Sequence, residues 1–252
     1  MEAPLKGRCA VVTGAAKGMG AAYARAFAAR GARVALVDRA PCGELLAELE
    51  AAGGDVGAFP CDLADPGEIA VTAVRLLDWR KGRLVLVNNA GIYPATPLET
   101  LDLAAWRSVF ALNVEAPLLL GLALAEAMKA DGWGRIINIG SSIVTLPRRN
   151  VAAYLSSKMA VIGLTRALAS DLGPYGITVN TISPGLTRTH GTETQLGATG
   201  AAGLFDEFAG MQPVGRVIEA EDMTGMACFL AGDESAMMTG QTLLIDGGIS
   251  RL

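Results

Sequence analysis

The chain alternates between short, continuously apolar runs and longer stretches with helical spacing. The first apolar run, Cys9 to Val12, is followed by a glycine-rich turn, an alanine-rich stretch from Ala21 to Ala29, and Gly31. Short runs that are apolar at every position are typical of strands buried on both faces, and glycine commonly follows a helix C-terminus. The pattern predicts a strand, a loop and a helix, and the run RVALVD at 33–38 predicts a second strand.

Similar apolar runs recur along the rest of the chain, with helical stretches between them. They stand at 84–91 (LVLVNNAG), 135–142 (RIINIGSS), 176–185 (GITVNTISPG) and 241–248 (QTLLIDGG). Strands that are hydrophobic on both faces belong to parallel sheets covered by helices on each side. We therefore predict one α/β domain spanning 1–252, a doubly wound, Rossmann-like parallel sheet of about seven strands flanked by helices.

Residues 190–212 (HGTETQLGATGAAGLFDEFAGMQ) depart from this rhythm and predict an inserted loop. The segment follows a strand that ends at Pro184 and Gly185. Ligands of open α/β sheets bind at the carboxyl ends of the strands, where this segment would lie. We interpret it as a substrate lid, with a plain surface excursion as the alternative.

Composition and charge exclude several kinds of partner. The chain has 51% hydrophobic and 18% charged residues and a formal net charge of -4, and no five like charges stand together. Nucleic-acid binding is therefore not expected. The four cysteines are far apart and form no CxxC pair, which favours free thiols in a reducing cytoplasm over zinc or disulfides.

Membrane association is not expected either. The start, MEAPLKGRCAVVTG, has no long apolar segment behind a basic end, so it does not resemble a secretion signal. The most apolar later stretch, 116–125, stands between Glu115 and Glu126. It is shorter than the roughly 18 residues that a membrane span needs, so we predict a packed helix.

A glycine-rich turn, TGAAKGMG at 13–20, carries the first chemical signal. Gly14, Gly18 and Gly20 would let the backbone approach a pyrophosphate, whose charge would lie at the positive N-terminus of the following helix. Asp38 ends the second strand, where a carboxylate can accept hydrogen bonds from adenosine ribose hydroxyls. Together these features predict a dinucleotide site.

Two later strand ends add polar side chains, CDL at 61–63 and NNAG at 88–91. Asn88 and Asn89 must find hydrogen-bond partners, either a neighbouring backbone or a bound adenosine. Asp62, Asp65 and Glu68 form an acidic group, but Pro66 lies among them and no histidine is near. We interpret that group as an adenine contact and a helix N-terminus, and we expect no metal.

Tyr154 stands four residues before Lys158 in a helical stretch, which places both side chains on one face. A surface pair is the plain alternative. A lysine charge about 4 Å from the phenol would contribute roughly 4 kcal/mol at an effective dielectric of 20. That attraction predicts a lowered pKa for Tyr154, which suits a general base.

From about residue 5 to the C-terminus, the chain resembles the short-chain dehydrogenases/reductases. The resemblance is carried by six motifs in the same order: TGAAKGMG, NNAG, Ser141, YLSSK, SPGLTRT and IDGG. Within that family, the chain is most similar to the (S)-1-phenylethanol dehydrogenase type of secondary-alcohol dehydrogenase. The stretches that carry this similarity are NNAGIYP, GWGRIIN, RALASDLG and TGQTLLIDGG. Pyridoxal 4-dehydrogenase and the 3-oxoacyl-carrier-protein reductases are related. The resemblance implies a homotetramer, with residues 238–252 resembling the intersubunit C-terminal strand.

The resemblance also implies catalytic roles. Tyr154 would accept the proton of the alcohol, and Lys158 would support it electrostatically and bind the nicotinamide ribose. Ser141 would hydrogen-bond the substrate oxygen, with Ser142 as the competing choice. Asn113 would hold a water that leads from the lysine toward solvent, or would only shape a helix kink.

The same resemblance implies the cofactor and its contacts. Asp38 would repel a 2′-phosphate, whereas Lys17 and Arg39 could attract one, and we predict NAD over NADP. Thr189 would contact the nicotinamide carboxamide, with Thr187 as a competing choice. The complete set of cofactor contacts is Gly14, Lys17, Gly18, Met19, Gly20, Asp38, Arg39, Asp62, Leu63, Asn89, Ala90, Gly91, Tyr154, Lys158, Pro184, Gly185, Thr187 and Thr189.

The residues predicted to line the substrate pocket are mostly apolar: Tyr93, Ile143 and Leu186 beside Ser141, and Leu204, Phe205, Phe208 and Met211 from the lid. A dry pocket of this kind favours an uncharged aryl or alicyclic secondary alcohol or ketone. Arg148 and Arg149 could meet an acidic group, but we expect them to point to solvent.

Alternative functions are a 3-oxoacyl-carrier-protein reductase-like enzyme, a pyridoxal 4-dehydrogenase-like enzyme and a non-catalytic NAD(H)-sensing regulator. A regulator would be expected to lack part of the catalytic tetrad, which is intact here. His190 is the only histidine and no GxSxG motif is present, so a serine hydrolase is not expected.

Overall fold

The computed structural model describes residues 3–196 and 198–250, with only the backbone described for 195, 196 and 198–202. The predicted domain, lid and C-terminal segment therefore include residues outside the described part, namely 1, 2, 197, 251 and 252. The strands are β1 (Arg8–Thr13), β2 (Arg33–Asp38), β3 (Val56–Pro60), β4 (Arg83–Asn88), β5 (Gly134–Ile139), β6 (Ile177–Pro184), β7 (Thr187–Arg188), β8 (Ile218–Glu219) and β9 (Thr242–Ile245).

The helices that surround these strands are α1 (Gly18–Ala28), α2 (Gly43–Ala51), α3 (Pro66–Trp79), α4 (Leu103–Phe110), α5 (Ala116–Ala130), α6 (Ala152–Leu172), α7 (His190–Leu196), α8 (Ala198–Met211) and α9 (Thr224–Leu230). Seven strands form one parallel sheet in the order β3-β2-β1-β4-β5-β6-β9, and β7 pairs with β8 beside it. The predicted single α/β domain with a seven-stranded parallel sheet is thus confirmed.

Alternate residues of each central strand enter different cores, which explains why the strands are apolar at every position. On one face, Val12 and Val87 pack with Tyr23 and Phe27 of α1. On the other, Val11 packs with helices α3, α5 and α6. Burial on both faces removes the polar and apolar alternation that marks a half-exposed strand.

Strand β3 was not predicted from its sequence, VGAFP. Gly57 and Pro60 interrupt its apolar run, and β3 lies at the edge of the sheet, where such residues are tolerated. Gly57 also leaves room for Trp79, because a Cβ there would lie 2.9 Å from the Trp79 ring.

The stretch 116–125 belongs to a longer helix than the sequence predicted. Helix α4, the π-helical turn Ala111–Glu115 and α5 form one continuous helix of 28 residues, Leu103–Ala130, which contains an 18-residue window with a mean hydropathy of 1.7. By length and composition alone it could cross a membrane, so the argument that this stretch is too short is wrong. Its α5 part packs on the sheet through Leu120, Leu124 and Met128, as predicted for a core helix.

Residues 190–212 are helical for the most part, and the prediction of a loop was wrong. Helix α7 begins directly after β7, and α8 continues to Met211. The glycines and threonines of this segment obscure the helical spacing because their side chains are small or polar. The segment still follows the carboxyl end of β6, where the sequence placed it.

The four cysteines are buried free thiols, as predicted. Burial raises the pKa of both Cys9 and Cys42 to about 11. Within the part of the chain that the structure describes, no group of three or more His, Cys, Asp or Glu side chains could hold a metal ion.

Candidate active site

The glycine-rich turn lies between β1 and α1, beside the point where the sheet order passes from β1 to β4. Gly14 and Gly18 have positive φ angles of 63° and 57°, which favour glycine. A Cβ on Gly20 would overlap the carbonyl oxygen of Gly14. Lys17 is the N-cap residue of α1 and makes no side-chain capping hydrogen bond. The turn is therefore shaped for close approach of an anionic group to a helix N-terminus.

The carboxylate of Asp38 is held against this turn. One oxygen accepts a hydrogen bond from the backbone N–H of Ala16 at 3.0 Å, and the other accepts one from Ala40 at 2.9 Å. Lys17 and Arg39 are exposed. The structure thus brings a fixed negative charge and two exposed cations to the end of β2.

Asn89 and Thr13 tie the end of β4 to the glycine turn. The Asn89 amide donates to the carbonyls of Thr13 at 2.9 Å and Gly14 at 3.2 Å. The Thr13 hydroxyl accepts from the backbone N–H groups of Asn89 and Ala90. Asn88 instead donates to Asn138 at 2.8 Å. Of the two partners considered for Asn89, a neighbouring backbone and a bound adenosine, the structure shows the neighbouring backbone. The Asn89 side chain therefore stabilises the glycine turn.

The acidic group after β3 forms local backbone contacts. Asp62 accepts from Ala64 N–H at 2.9 Å, and Leu63 is buried. Asp65 caps α3 by accepting from the N–H groups of Gly67 and Glu68, with Pro66 as the first helical residue. The predicted helix N-terminus is confirmed, and a role of Asp62 and Leu63 in adenine binding stays a prediction.

Tyr154 and Lys158 lie on α6 and face the end of β5. The Tyr154 side chain is half-buried, and burial of its phenol raises the pKa to about 12, although the hydrogen bond with Ser141 acts to lower it. Lys158 is buried, its Nζ donates to the Ile139 carbonyl at 2.7 Å, and burial lowers its pKa to about 8. Ser141 and Tyr154 are thus brought together, as the sequence predicted.

The predicted lowering of the Tyr154 pKa by Lys158 is wrong for the protein chain by itself. The lysine Nζ lies 5.7 Å from the centre of the Tyr154 ring and is directed to a backbone carbonyl. Burial penalises the charged form of each group, which raises the pKa of the phenol and lowers that of the ammonium. Burial is the largest influence on the pKa of Tyr154.

Asn113 lies in the π-helical turn between α4 and α5 and is almost completely buried. Its amide oxygen accepts from Ile92 N–H and its nitrogen donates to Ile92 O, both at 2.9 Å. The same nitrogen donates to Ser157 at 3.0 Å. The Asn113 side chain therefore pairs with the backbone after β4. Gly91 lies between Asn113 and Lys158, because a Cβ on Gly91 would be 3.1 Å from the Asn113 amide oxygen and 3.7 Å from Lys158 Nζ.

The segment after β6 closes over the glycine turn. A Cβ on Gly18 would lie 3.3 Å from the Thr189 Cβ. The Thr189 hydroxyl is 2.9 Å from that of Thr192, which in turn lies 3.5 Å from the Tyr93 hydroxyl. The Tyr93 and Tyr154 rings are 6.0 Å apart. Thr189 and Tyr93 therefore meet near Tyr154, whereas Thr187 is buried and donates to the Gly185 carbonyl.

The remaining predicted positions surround the same end of the sheet. Gly185 has no room for a side chain, because a Cβ would lie 2.7 Å from Ile218. Ile143 and Leu186 are half-buried, as are Met19 and Phe208. Phe205 is buried in α8, but Met211 is 52% exposed and does not support the predicted apolar lining.

Three residues of this network were missed in the sequence: Thr13, Thr192 and Ser157. Thr13 ends the first strand just before the glycine turn, and Thr192 stands three residues after Thr189. Ser157 precedes Lys158. Each has a sequence position next to a predicted residue, but hydroxyl side chains are common in turns and helices, so spacing alone could not select them.

The chain is similar to known proteins over almost its whole length. A family model described as Enoyl-(Acyl carrier protein) reductase matches residues 14–250. The chain is similar to D-threitol dehydrogenase of Mycolicibacterium smegmatis, with 39% identity over 97% of this chain and 93% of that protein. It is also similar to trans-4-hydroxycyclohexanecarboxylate dehydrogenase of Sinomonas cyclohexanicum, with 40% identity over 96% and 92% of the two chains.

A solved structure from Beutenbergia cavernae, proposed to be an NAD(P)-dependent gluconate 5-dehydrogenase, has NADP bound at low occupancy. It is similar to this chain with a TM-score of 0.92 and 41% identity, over 99% of each chain.

Proposed function

This chain belongs to the short-chain dehydrogenase/reductase family, and we propose that it is an NAD-dependent dehydrogenase that interconverts a secondary alcohol and its ketone at Tyr154. The observation that carries the proposal is the position of the buried Lys158 ammonium, 5.7 Å from the centre of the Tyr154 ring, with the Tyr154 phenol hydrogen-bonded to Ser141. A half-buried phenol keeps part of its surface open to a ligand.

The chain offers a site that fits a dinucleotide. The glycine turn and the N-terminus of α1 would hold the pyrophosphate, and Asp38 would hold the adenosine ribose. The nicotinamide end would be bordered by Gly91, Lys158, Gly185 and Thr189. The other predicted contacts would line the site between the nicotinamide and the adenosine. When bound, oxidised nicotinamide accepts the hydride from the alcohol carbon and brings a positive charge to the site.

Within this site Ser141 would donate its hydroxyl hydrogen to the substrate oxygen, and Tyr154 would accept the alcohol proton. The Lys158 ammonium, with a pKa of about 8, is mostly protonated at neutral pH, so it favours the phenolate even though burial opposes it. One of its three donors is directed to the Ile139 carbonyl, which fixes the side chain in place. Asn113 would act by holding Gly91 and Ile92 next to Lys158.

We propose that the carbon skeleton next to the reacting carbon is apolar. Ile143, Val144, Leu146 and Leu186 are half-buried around the loop that follows Ser141 and the end of β6. A polyol would leave its hydroxyl groups without partners beside such side chains, and an unpaired buried polar group is costly. This favours an aryl or alicyclic alcohol over the polyol for which the M. smegmatis relative is named.

The test is Tyr154→Phe, which removes the ionisable oxygen and keeps the ring. Rates are measured by NADH absorbance with 1-phenylethanol, trans-4-hydroxycyclohexanecarboxylate, D-threitol, a 3-oxoacyl thioester and pyridoxal. We expect the variant to bind NADH like the parent but to lose at least 1,000-fold in kcat, or about 4 kcal/mol of transition-state stabilisation. Tyr175→Phe is the control, since Tyr175 is an exposed tyrosine outside the site, and it should retain most of the activity. Rates for Tyr154→Phe within tenfold of the parent would exclude Tyr154 as the proton carrier.

A further inference from the structure

The loop from Ser142 to Val151 is anchored at several points between Ser141 and Tyr154. The Thr145 hydroxyl donates to the Ser142 carbonyl at 2.8 Å and lies 2.6 Å from the Ser250 hydroxyl. Farther along, the Asn150 carbonyl accepts from Thr96 N–H at 2.7 Å, and Asn150 has a φ of 64°. Asparagine is among the few residue types that adopt this left-handed conformation readily. The loop therefore has a defined course.

Arg148 extends from this loop to α8. Its guanidinium carbon lies 5.0 Å from the centre of the Phe208 ring. A guanidinium that lies over a ring interacts through its charge. Within the described residues Arg148 donates no hydrogen bond, so its five N–H donors are available for an anion. Arg148 is exposed, so the sequence expectation of a solvated side chain is correct in part, but its contact with α8 was not predicted.

No carboxylate in the described part of the chain lies within 4.0 Å of the Arg148 guanidinium. Asp206 and Glu207, which neighbour Phe208 on α8, are exposed and form no ion pair with it. Arg149 is also exposed, and within the described residues it has no hydrogen bond, ion pair or ring contact. Arg148 is thus a cation that is held by its contact with Phe208 and whose guanidinium N–H groups have no acceptor in the described part of the chain.

Apart from Ser142 and Thr145, the residues between Ser141 and Arg148 in the sequence are apolar. Ile143, Val144 and Leu146 are half-buried on the loop, and Phe208 faces Arg148 from α8. A ligand with its hydroxyl at Tyr154 would therefore pass apolar walls before it reached a charged group. A guanidinium binds a carboxylate through two parallel hydrogen bonds, which makes it selective for that group.

We propose that the substrate is a hydroxy acid, with the corresponding oxo acid in the reverse direction, and that Arg148 binds its carboxylate. This inference rests on the proposed function and revises the sequence expectation of an uncharged substrate. The carbon skeleton between the reacting carbon and the carboxylate stays apolar, as proposed above.

The experiment compares trans-4-hydroxycyclohexanecarboxylate with its neutral carboxamide as substrates. We expect the parent to prefer the carboxylate by at least tenfold in kcat/KM, mainly through KM. Arg148→Met keeps an apolar contact with Phe208 and removes the charge, so it should lose at least tenfold with the carboxylate and less than threefold with the carboxamide. Arg148→Lys should restore part of the loss, and Arg149→Met, the matched control, should change neither substrate by more than threefold.

A binding measurement makes the test independent of turnover. Calorimetric titration of cyclohexanecarboxylate into the parent protein with NADH should show binding that Arg148→Met weakens at least tenfold and Arg149→Met does not. Equal use of both substrates, absence of binding to the parent, or equal effects of the two methionine variants would overturn the inference. If neutral secondary alcohols are oxidised and the acid is not, the proposed function stands and the inference fails. If no alcohol is oxidised, the proposed function itself fails.

Discussion

At the scale of single residues, the site depends on backbone contacts that few side-chain types could make. Asp38 accepts from Ala16 and Ala40, which directs its charge along the end of β2. A carboxylate held in this way cannot turn away from a 2′-phosphate. The exposed Lys17 and Arg39 side chains can reorient in solvent. We therefore propose NAD over NADP, although a similar solved structure contains NADP.

We expect kcat/KM for NAD to exceed that for NADP by at least tenfold. Asp38→Asn should narrow this ratio, because it removes the charge but keeps an oxygen that can accept from one backbone N–H. Steady-state kinetics with both cofactors measures the change, and thermal unfolding verifies that the variant is folded. Arg39→Gln is the control and should not narrow the ratio. A parent that uses NADP more efficiently than NAD would contradict the proposal.

At the scale of secondary-structure elements, the π-helical turn Ala111–Glu115 connects two helices to the active site. A π turn changes the direction of the side chains that follow, and such turns are frequent at functional sites. Here it directs Asn113 to the backbone of Ile92 and to Ser157. The segment after β4 is thereby held beside α6, which carries Lys158.

We expect Asn113→Ala to lower the free energy of unfolding by about 2 kcal/mol, because the N–H and C=O of the half-buried Ile92 lose their partners on Asn113. Urea unfolding measures this loss. Activity should fall as well, since Asn113 holds the segment of Gly91 and Ile92 next to Lys158. Ser157→Ala removes the hydrogen bond that Ser157 accepts from Asn113 and the one that it donates to the Tyr154 carbonyl. Asn113 keeps both of its contacts with Ile92, so we expect a smaller loss of about 1 kcal/mol. Equal stability of Asn113→Ala and the parent would show that the turn does not depend on this side chain.

At the scale of the whole molecule, the layer formed by α4, α5 and α6 has exposed apolar side chains. Leu103, Leu122 and Met159 are 59%, 52% and 53% exposed. Exposed apolar side chains grouped on one layer are typical of interaction surfaces. At the other end of the molecule, β9 is the edge strand of the sheet, and each of its residues is half-buried. Both features favour the homotetramer that the sequence resemblance implied.

We expect analytical ultracentrifugation of the parent to show a homotetramer. The double variant Leu122→Glu and Met159→Glu should shift the distribution to smaller species, because charges would have to be buried in the interface. Phe229→Glu is the control, since Phe229 is 38% exposed on α9 in the opposite layer. A parent that sediments as a monomer at micromolar concentration would rule out the tetramer.

The amino-acid sequence was sufficient to predict the class of fold and to select most residues of the candidate site. Apolar runs without alternation predict a parallel sheet because both faces of each strand are covered, and this inference needs no knowledge of the partners. The glycine turn and the spacing of Tyr154 and Lys158 are local patterns, so their proximity along the chain already implies proximity in space. The positions of Ser141 and Asp38 at strand ends follow from the same periodicity.

Properties that depend on contacts between distant segments could be established only from the tertiary structure. The pKa of Tyr154 is raised mainly by burial in the surrounding chain, and burial cannot be calculated from spacing. Asn89 shapes the glycine turn, Asn113 pairs with Ile92, and Arg148 stacks on Phe208 across 60 residues of chain. The helices of 190–212 are another such case, because packing over the site stabilises a sequence whose own helical pattern is weak.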